Sequence, residues 1–161
     1  MYISFEKFTT LYDNIDEELF NRLQFDAERM IDNHTTGLDG VKKLRVAFPA
    51  EKYDADAVMY CTGNLVNLLY QLHKAEQALN AASGYTETEN GLHRKVISQM
   101  QSGSESITFS EAKLSNSSID AALADKTIRD EMIVSTIREY LSGIKDANGV
   151  NLLYMGRYPR V

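Results

Sequence analysis

The chain has 161 residues, of which 43% are hydrophobic and 25% are charged, so it can form one domain with a buried core. Its formal net charge of -6 argues against a protein that grips nucleic acid, because such proteins usually carry a basic face. The single cysteine, Cys61, excludes an intrachain disulfide or a thiolate metal site and favours a reducing, intracellular setting. No apolar run approaches the roughly 20 residues of a membrane span, and the first residues lack the order of a signal peptide.

Two helices are predicted in the first third of the chain. Ser4 is a suitable N-cap for a short first helix, and Asp13 with Asn14 suits the cap of a second. Acidic residues 16–18 place negative charge in the first turn of the second helix, which the helix dipole favours. Residues 38–53 fit one turn of helix or a strand equally well, so no regular structure is assigned there.

The strongest periodic signal runs from Asp54 to Ala82 and predicts one long central helix. Apolar residues recur there with alternating three- and four-residue steps, which is the seam of helices packed side by side. The seam residues are Val58, Cys61, Leu65, Leu68, Leu72, Ala75, Leu79 and Ala82. We expect this seam to be buried within one subunit, and we predict a last helix from Ser117 or Ser118 to about residue 144.

One short segment, residues 96–109, interrupts the helical pattern. Its two arms carry β-branched and apolar residues at near period two around a Ser-Gly-Ser-Glu turn, which predicts a lone β-hairpin. An isolated hairpin is only marginally stable in water. We therefore expect it to contact another subunit through apolar side chains, namely Val96, Ile97, Ile107 and Phe109.

The last ten residues are unusually apolar and aromatic for a chain terminus, where polar and mobile residues are the rule. The predicted organisation is a mostly α protein: a helical bundle over residues 1–151 and an extended C-terminal docking tail over residues 152–161. The tail side chains expected to bind a partner are Leu152, Leu153, Tyr154, Met155, Arg157, Tyr158 and Arg160.

Sequence patterns of catalysis, metal binding and nucleotide binding are weak. His34, His73 and His93 lie in separate segments without a zinc-like spacing. His73 and Glu76 have the spacing of a di-iron motif, but Glu76 does not lie on the seam. Cys61 does lie on the seam, where a cysteine typically packs as a small apolar residue. We therefore predict no enzymatic activity, no cofactor and no metal.

Two motifs and the order of the predicted elements resemble a known family of viral proteins. The first motif is Val96 and Ser98, followed by a polar turn and Ser106-Ile107-Thr108-Phe109. The second runs from Ile137-Arg138-Glu139-Tyr140-Leu141 into Leu152-Leu153-Tyr154-Met155-Gly156. This arrangement is similar to that of the head-tail connector (adaptor, or head-completion) proteins of long-tailed double-stranded DNA bacteriophages and prophages. The likeness extends over nearly the whole chain, except for a polar loop predicted at residues 86–95.

The resemblance implies a virion structural protein that forms a ring of about twelve copies between the portal and the tail. Its partners would be the portal protein, a neck or tail-completion protein and other copies of itself, although the isolated chain could be a monomer. In the family the C-terminal segment reaches toward the portal. DNA would pass through the ring as cargo that is not gripped, which suits an acidic chain. The implied location is the virion neck, reached from the host bacterial cytoplasm during assembly, with no membrane involved.

Two other functional classes stay open. A small helical DNA-binding or regulatory protein of a prophage would need a basic, exposed recognition helix. The densest basic cluster, Lys42, Lys43 and Arg45, lies on neither long helix and is interpreted as rim charges at a protein contact. An enzyme with a site inside the bundle would need polar residues on the seam, which is apolar.

Overall fold

The computed structural model describes residues 1–12, 15–81, 85–88, 91–101, 106–112 and 117–159, with the backbone alone for residues 79–112. The chain is mostly helical, as predicted. The helices are α1 Phe5–Leu11, α2 Glu17–Thr35, α3 Lys43–Val46, α4 Lys52–Ala81, α5 Ser118–Ala124 and α6 Lys126–Leu141. The strands are β1 Tyr85–Thr88, β2 Gly91–Gln101 and β3 Ser106–Ala112. Over the described residues, no helix combines the length and the apolar character that a membrane crossing requires.

Short polar side chains begin three of the helices. The Ser4 hydroxyl accepts a hydrogen bond from the Lys7 amide, as expected for an N-cap of α1. Asp16 caps α2 by accepting from the amides of Glu18 and Leu19 at 3.1 and 3.2 Å. Asp16 was expected inside the first turn, and the predicted cap at residues 13 and 14 lies outside the described residues. Ser117 caps α5.

The last helix was predicted to be continuous, but the structure divides it into α5 and α6 at Asp125. This residue is the C-cap of α5, with extended backbone angles, and its carboxylate accepts a hydrogen bond from the Thr127 amide at 2.7 Å. An aspartate that bonds the amide two residues ahead competes with continued helix, because it offers the backbone another partner. The apolar pattern extends across the break, which is why periodicity alone did not reveal it.

The chain divides into two compact units. Unit 1 contains Met1–Tyr70 and Ile133–Val161, and unit 2 contains Gln71–Met132. The core of unit 1 is apolar and aromatic; for example, the Phe8 ring lies 5.1 Å from the Phe20 ring and 4.8 Å from the Tyr12 ring, centroid to centroid. Side chains with no exposed surface in this core include Phe8, Phe20, Ala27, Ile31, Val58, Cys61, Leu65, Val66, Leu141 and Leu152.

The predicted seam of the long helix is largely buried. Within unit 1, Val58, Cys61 and Leu65 are fully buried, whereas Leu68 is only partly buried against the same core. Leu72 is buried in unit 2, and the side chain of Leu79 lies outside the described part of the chain.

A matched pair of leucines tests this arrangement. We expect Leu65→Ala to lower the free energy of unfolding by about 2 to 5 kcal/mol, because it leaves a cavity in a closed core. Leu68→Ala should cost clearly less, since part of that side chain is already in water. Urea unfolding of both variants gives the two values, and equal losses would contradict the burial difference.

Unit 2 contains an antiparallel sheet with the strand order β1-β2-β3. In its register, Tyr85 faces Arg94 and Ile97 faces Phe109, with an irregularity between Ile97 and Gln99. The sequence pattern predicted a lone hairpin preceded by a polar loop. Instead residues 85–88 pair with β2, consistent with the β propensity of their tyrosine and threonines. The predicted turn at residues 102–105 lies outside the described residues.

Candidate functional site

The C-terminal segment folds back onto unit 1 and begins inside its core. Leu152 is fully buried, and its amide donates to the carbonyl of Ile144 at 2.9 Å. Leu153 is partly buried against the same core. Leu152 is therefore not available as a partner-binding side chain, which corrects the expectation of an extended tail starting at this residue. Leu152 packs in the core because removing its apolar surface from water lowers the free energy of the folded state.

A buried lysine holds this segment by its backbone. Lys43 on α3 is fully buried, and its Nζ donates to the carbonyls of Asn151 at 3.3 Å and Leu152 at 2.9 Å, and also to that of Tyr154. An ammonium has three donors, so these three carbonyls satisfy it completely. The Nζ also lies 5.8 Å from the centre of the Tyr154 ring. Burial lowers the pKa of Lys43, and the charges of Asp146 and Asp39 partly oppose that effect.

Tyr158 fastens the far end of the segment. Its amide donates to Asp39 Oδ2 at 2.8 Å, and its hydroxyl donates to Asp146 Oδ2 at 2.6 Å. The Asn148 side chain in turn donates to the Tyr158 oxygen at 2.8 Å. The bond from the Tyr158 amide lowers the pKa of Asp39, whereas partial burial and the bond to Asp146 raise the pKa of Tyr158.

Between these two attachments, large apolar side chains face water. Tyr154 and Met155 are 53% and 55% exposed, and Leu38, in the turn that follows α2, is 82% exposed. The Leu38 amide donates to the Met155 carbonyl at 3.2 Å, so these side chains belong to two adjoining segments. We call Leu38, Tyr154 and Met155 the apolar patch. Arg157 is also exposed, and Arg160 lies outside the described residues.

A second polar constellation joins α2 to α3. Glu28 and Asp32 are spaced one helical turn apart on the buried face of α2. Arg45 donates from Nε to Asp32 Oδ2 at 2.8 Å and from a terminal nitrogen to Glu28 Oε2 at 2.9 Å. Both carboxylates are nearly buried, whereas the arginine side chain is 45% exposed.

Tyr2 completes this constellation from the N-terminal side. Its hydroxyl donates to Asp32 Oδ1 at 2.6 Å, and its amide donates to Glu28 Oε1 at 2.7 Å. The Arg45 guanidinium lies 4.8 Å from the centre of the Tyr2 ring. Burial and the bond to Asp32 raise the pKa of Tyr2. Among the described residues, every buried side-chain nitrogen and oxygen has a hydrogen-bond partner. We call Tyr2, Glu28, Asp32 and Arg45 the buried joint.

These two constellations change the interpretation of the basic cluster. Lys43 and Arg45 were expected at the rim of a protein contact, but both are engaged inside unit 1. Sequence reasoning missed the partners of Arg45. The available signal was the polar series Gln24, Glu28 and Asp32 at four-residue intervals beside the apolar face of α2.

The other candidate side chains are not brought together. His34 is exposed, and His73 contacts Gln77 on the same helix at 3.0 Å. Within the described residues, no group of three or more histidines, cysteines, aspartates and glutamates is arranged to hold a metal ion. The side chains of His93 and of the predicted hairpin contacts, Val96, Ile97, Ile107 and Phe109, lie outside the description.

The buried Cys61 thiol is expected to be unreactive in the folded protein. Burial raises the pKa of Cys61 to about 12, so almost no thiolate is present near neutral pH. The folded state keeps this proton to a higher pH than the unfolded state, so stability should fall as the pH rises from about 9 toward 12.

A colorimetric disulfide reagent at pH 8 should label the Cys61 thiol only after urea unfolding. Rapid labelling without urea would contradict the burial.

Comparison of the chain with protein-family models, with curated proteins and with solved structures found no match.

Proposed function

We propose that this chain is a head-tail connector of a long-tailed bacteriophage or prophage, a structural protein of the virion and not an enzyme. The observation that carries the proposal is the exposure of Tyr154 and Met155 on the C-terminal segment. This is the segment through which the resemblance places the contact with the portal. Exposed aromatic and methionine side chains are enriched where proteins bind one another.

The proposal gives each part of the chain a role. Unit 1 would present the apolar patch, with Arg157 at its edge, to the portal or a neighbouring copy. Val96, Ile97, Ile107 and Phe109 in unit 2 would contact the next subunit of a ring of about twelve copies. The net charge of -6 would let DNA slide through the ring, because like charges repel and no phosphate is bound.

The bonds of two basic residues argue against the alternative of a DNA-binding regulator. Lys43 donates to three carbonyls, and Arg45 is paired with Asp32 and Glu28. Contact between Lys43 and a phosphate would require the loss of its carbonyl bonds, and the charge of Arg45 is already balanced by two carboxylates. The densest basic cluster of the sequence is therefore poorly suited to bind DNA.

The decisive experiment is inactivation of the gene in its phage or prophage, followed by complementation. We expect DNA-filled heads without attached tails, and we expect the wild-type protein to restore infective particles. Met155→Asp should fail to complement, because it places a charge in the apolar patch. Phe25→Asp is the matched control, since Phe25 is 70% exposed on α2. Normal tailed particles without the protein would overturn the proposal, and a specific DNA gel shift would favour the regulator.

A further inference from the structure

The C-terminal segment changes character at Leu152. Leu152 is a core residue, whereas the side chains of Tyr154, Met155 and Arg157 face solvent. Beyond Leu153, hydrogen bonds made by Tyr154, Met155 and Tyr158 join the segment to the rest of unit 1. Segments with few buried apolar contacts and solvent-exposed hydrogen bonds open at a lower free energy than a core. Opening of residues 154–159 would leave Leu152 and Leu153 in place.

Lys43 lies at the boundary between the fixed and the exposed part. Two of its acceptors, the carbonyls of Asn151 and Leu152, belong to the fixed part, and the third belongs to Tyr154. When the segment beyond Leu153 lifts, the ammonium loses one acceptor and water can take its place. In such an opened state the lysine would keep its bonds to Asn151 and Leu152 and lose only the bond to Tyr154.

Two glycines lie where the outer part of the C-terminal segment contacts the rest of unit 1. A β-carbon added to Gly37 would lie 2.6 Å from the carbonyl oxygen of Gly156 and 2.9 Å from Asp39 Oδ1. The two backbones thus approach more closely than any side chain at position 37 allows. Gly37→Ala should displace the segment while Lys43 remains unchanged.

We infer that residues 154–159 form a strap that opens as a local unit on the folded core of unit 1, with Lys43 as its latch. The strap is a conformational device of the isolated protein, and the inference does not depend on the connector assignment. Because opening is local, these residues can exchange their contacts with Asp39 and Asp146 for contacts with a partner while the core stays folded.

Amide hydrogen exchange on the wild-type protein provides the first test. The Leu38 amide donates to the Met155 carbonyl, and the Tyr158 amide donates to Asp39, so both bonds join the strap to the rest of unit 1. Both amides should therefore exchange with the same low free energy of opening. The amide of Leu152, bonded to Ile144, and that of Leu65 in α4 should exchange far more slowly. Exchange of all four amides in one cooperative event would overturn the strap.

Variants test the latch. Lys43→Met should accelerate exchange at Leu38 and Tyr158 by about tenfold or more, the loss expected for a hydrogen bond from a charged donor. Gly37→Ala should accelerate the same two amides without removing the lysine, and Lys42→Met is the control because Lys42 is exposed in the same turn. Unchanged exchange in Lys43→Met would overturn the latch. Equal acceleration at Leu65 would show that Lys43 is simply a core residue, and if Lys43→Met does not fold, the wild-type and Gly37→Ala measurements decide.

Discussion

Deletion of residues 152–161 should abolish the stable fold of unit 1. The deletion removes the fully buried Leu152, and a lost core leucine costs about 2 to 5 kcal/mol. It also removes two of the three acceptors of the buried Lys43 ammonium, and taking a partner away from a buried charge costs about 3 to 5 kcal/mol. Together these losses approach the total stability of a typical domain, about 5 to 15 kcal/mol. Circular dichroism and urea unfolding measure the effect.

A shorter deletion is the matched control. Removal of residues 155–161 keeps Leu152 and all three acceptors of Lys43. It removes the hydrogen bonds of Met155 and Tyr158, each worth about 1 kcal/mol, so the protein should remain folded with a modest loss. If the long deletion were as stable as the short one, the placement of Leu152 in the core would be wrong. The same outcome would restore the sequence-based expectation of a free tail beginning at this residue.

Arg45→Met should destabilise unit 1 by about 3 kcal/mol, the lower end for breaking a buried ion pair, since this arginine is partly exposed. The variant leaves the carboxylates of Glu28 and Asp32 without the guanidinium that bonds to both, and the N-terminal ammonium, 3.6 Å from Glu28 Oε1, is 59% exposed. The free energy of unfolding in urea at pH 7 measures the loss. We expect the loss to shrink as the pH is lowered, because protonation removes the unpaired charge.

A neutral triple variant separates charge from packing. Glu28→Gln and Asp32→Asn retain the shapes of these side chains, and with Arg45→Met they remove all three side-chain charges of the joint. This triple variant should be more stable than Arg45→Met alone. The single variant leaves two buried carboxylate charges without the arginine, whereas the triple variant removes those charges as well. Arg29→Met is a suitable control, since Arg29 pairs with Asp26 on the exposed face of the same helix and should change stability little. Equal losses for Arg29→Met and Arg45→Met would contradict the buried joint.

The amino-acid sequence determined the helical content and much of the core. The three- and four-residue spacing of Val58, Cys61 and Leu65 identified the buried face of α4, because a helix repeats every 3.6 residues. Ser4 identified one helix start and the pair Ser117 and Ser118 another, because a short hydroxyl side chain can accept hydrogen bonds from the free amides of the first helical turn. Both signals depend on neighbours in the chain, so they can be read locally.

The candidate site depended on contacts that no local pattern contains. Lys43 meets carbonyls more than a hundred residues later in the chain, and Arg45 meets carboxylates of the preceding long helix. A basic cluster and an apolar terminus are each compatible with an exposed surface. Only the tertiary structure decided that Lys43 and Leu152 are buried together, because burial of a charge depends on acceptors that folding brings to it.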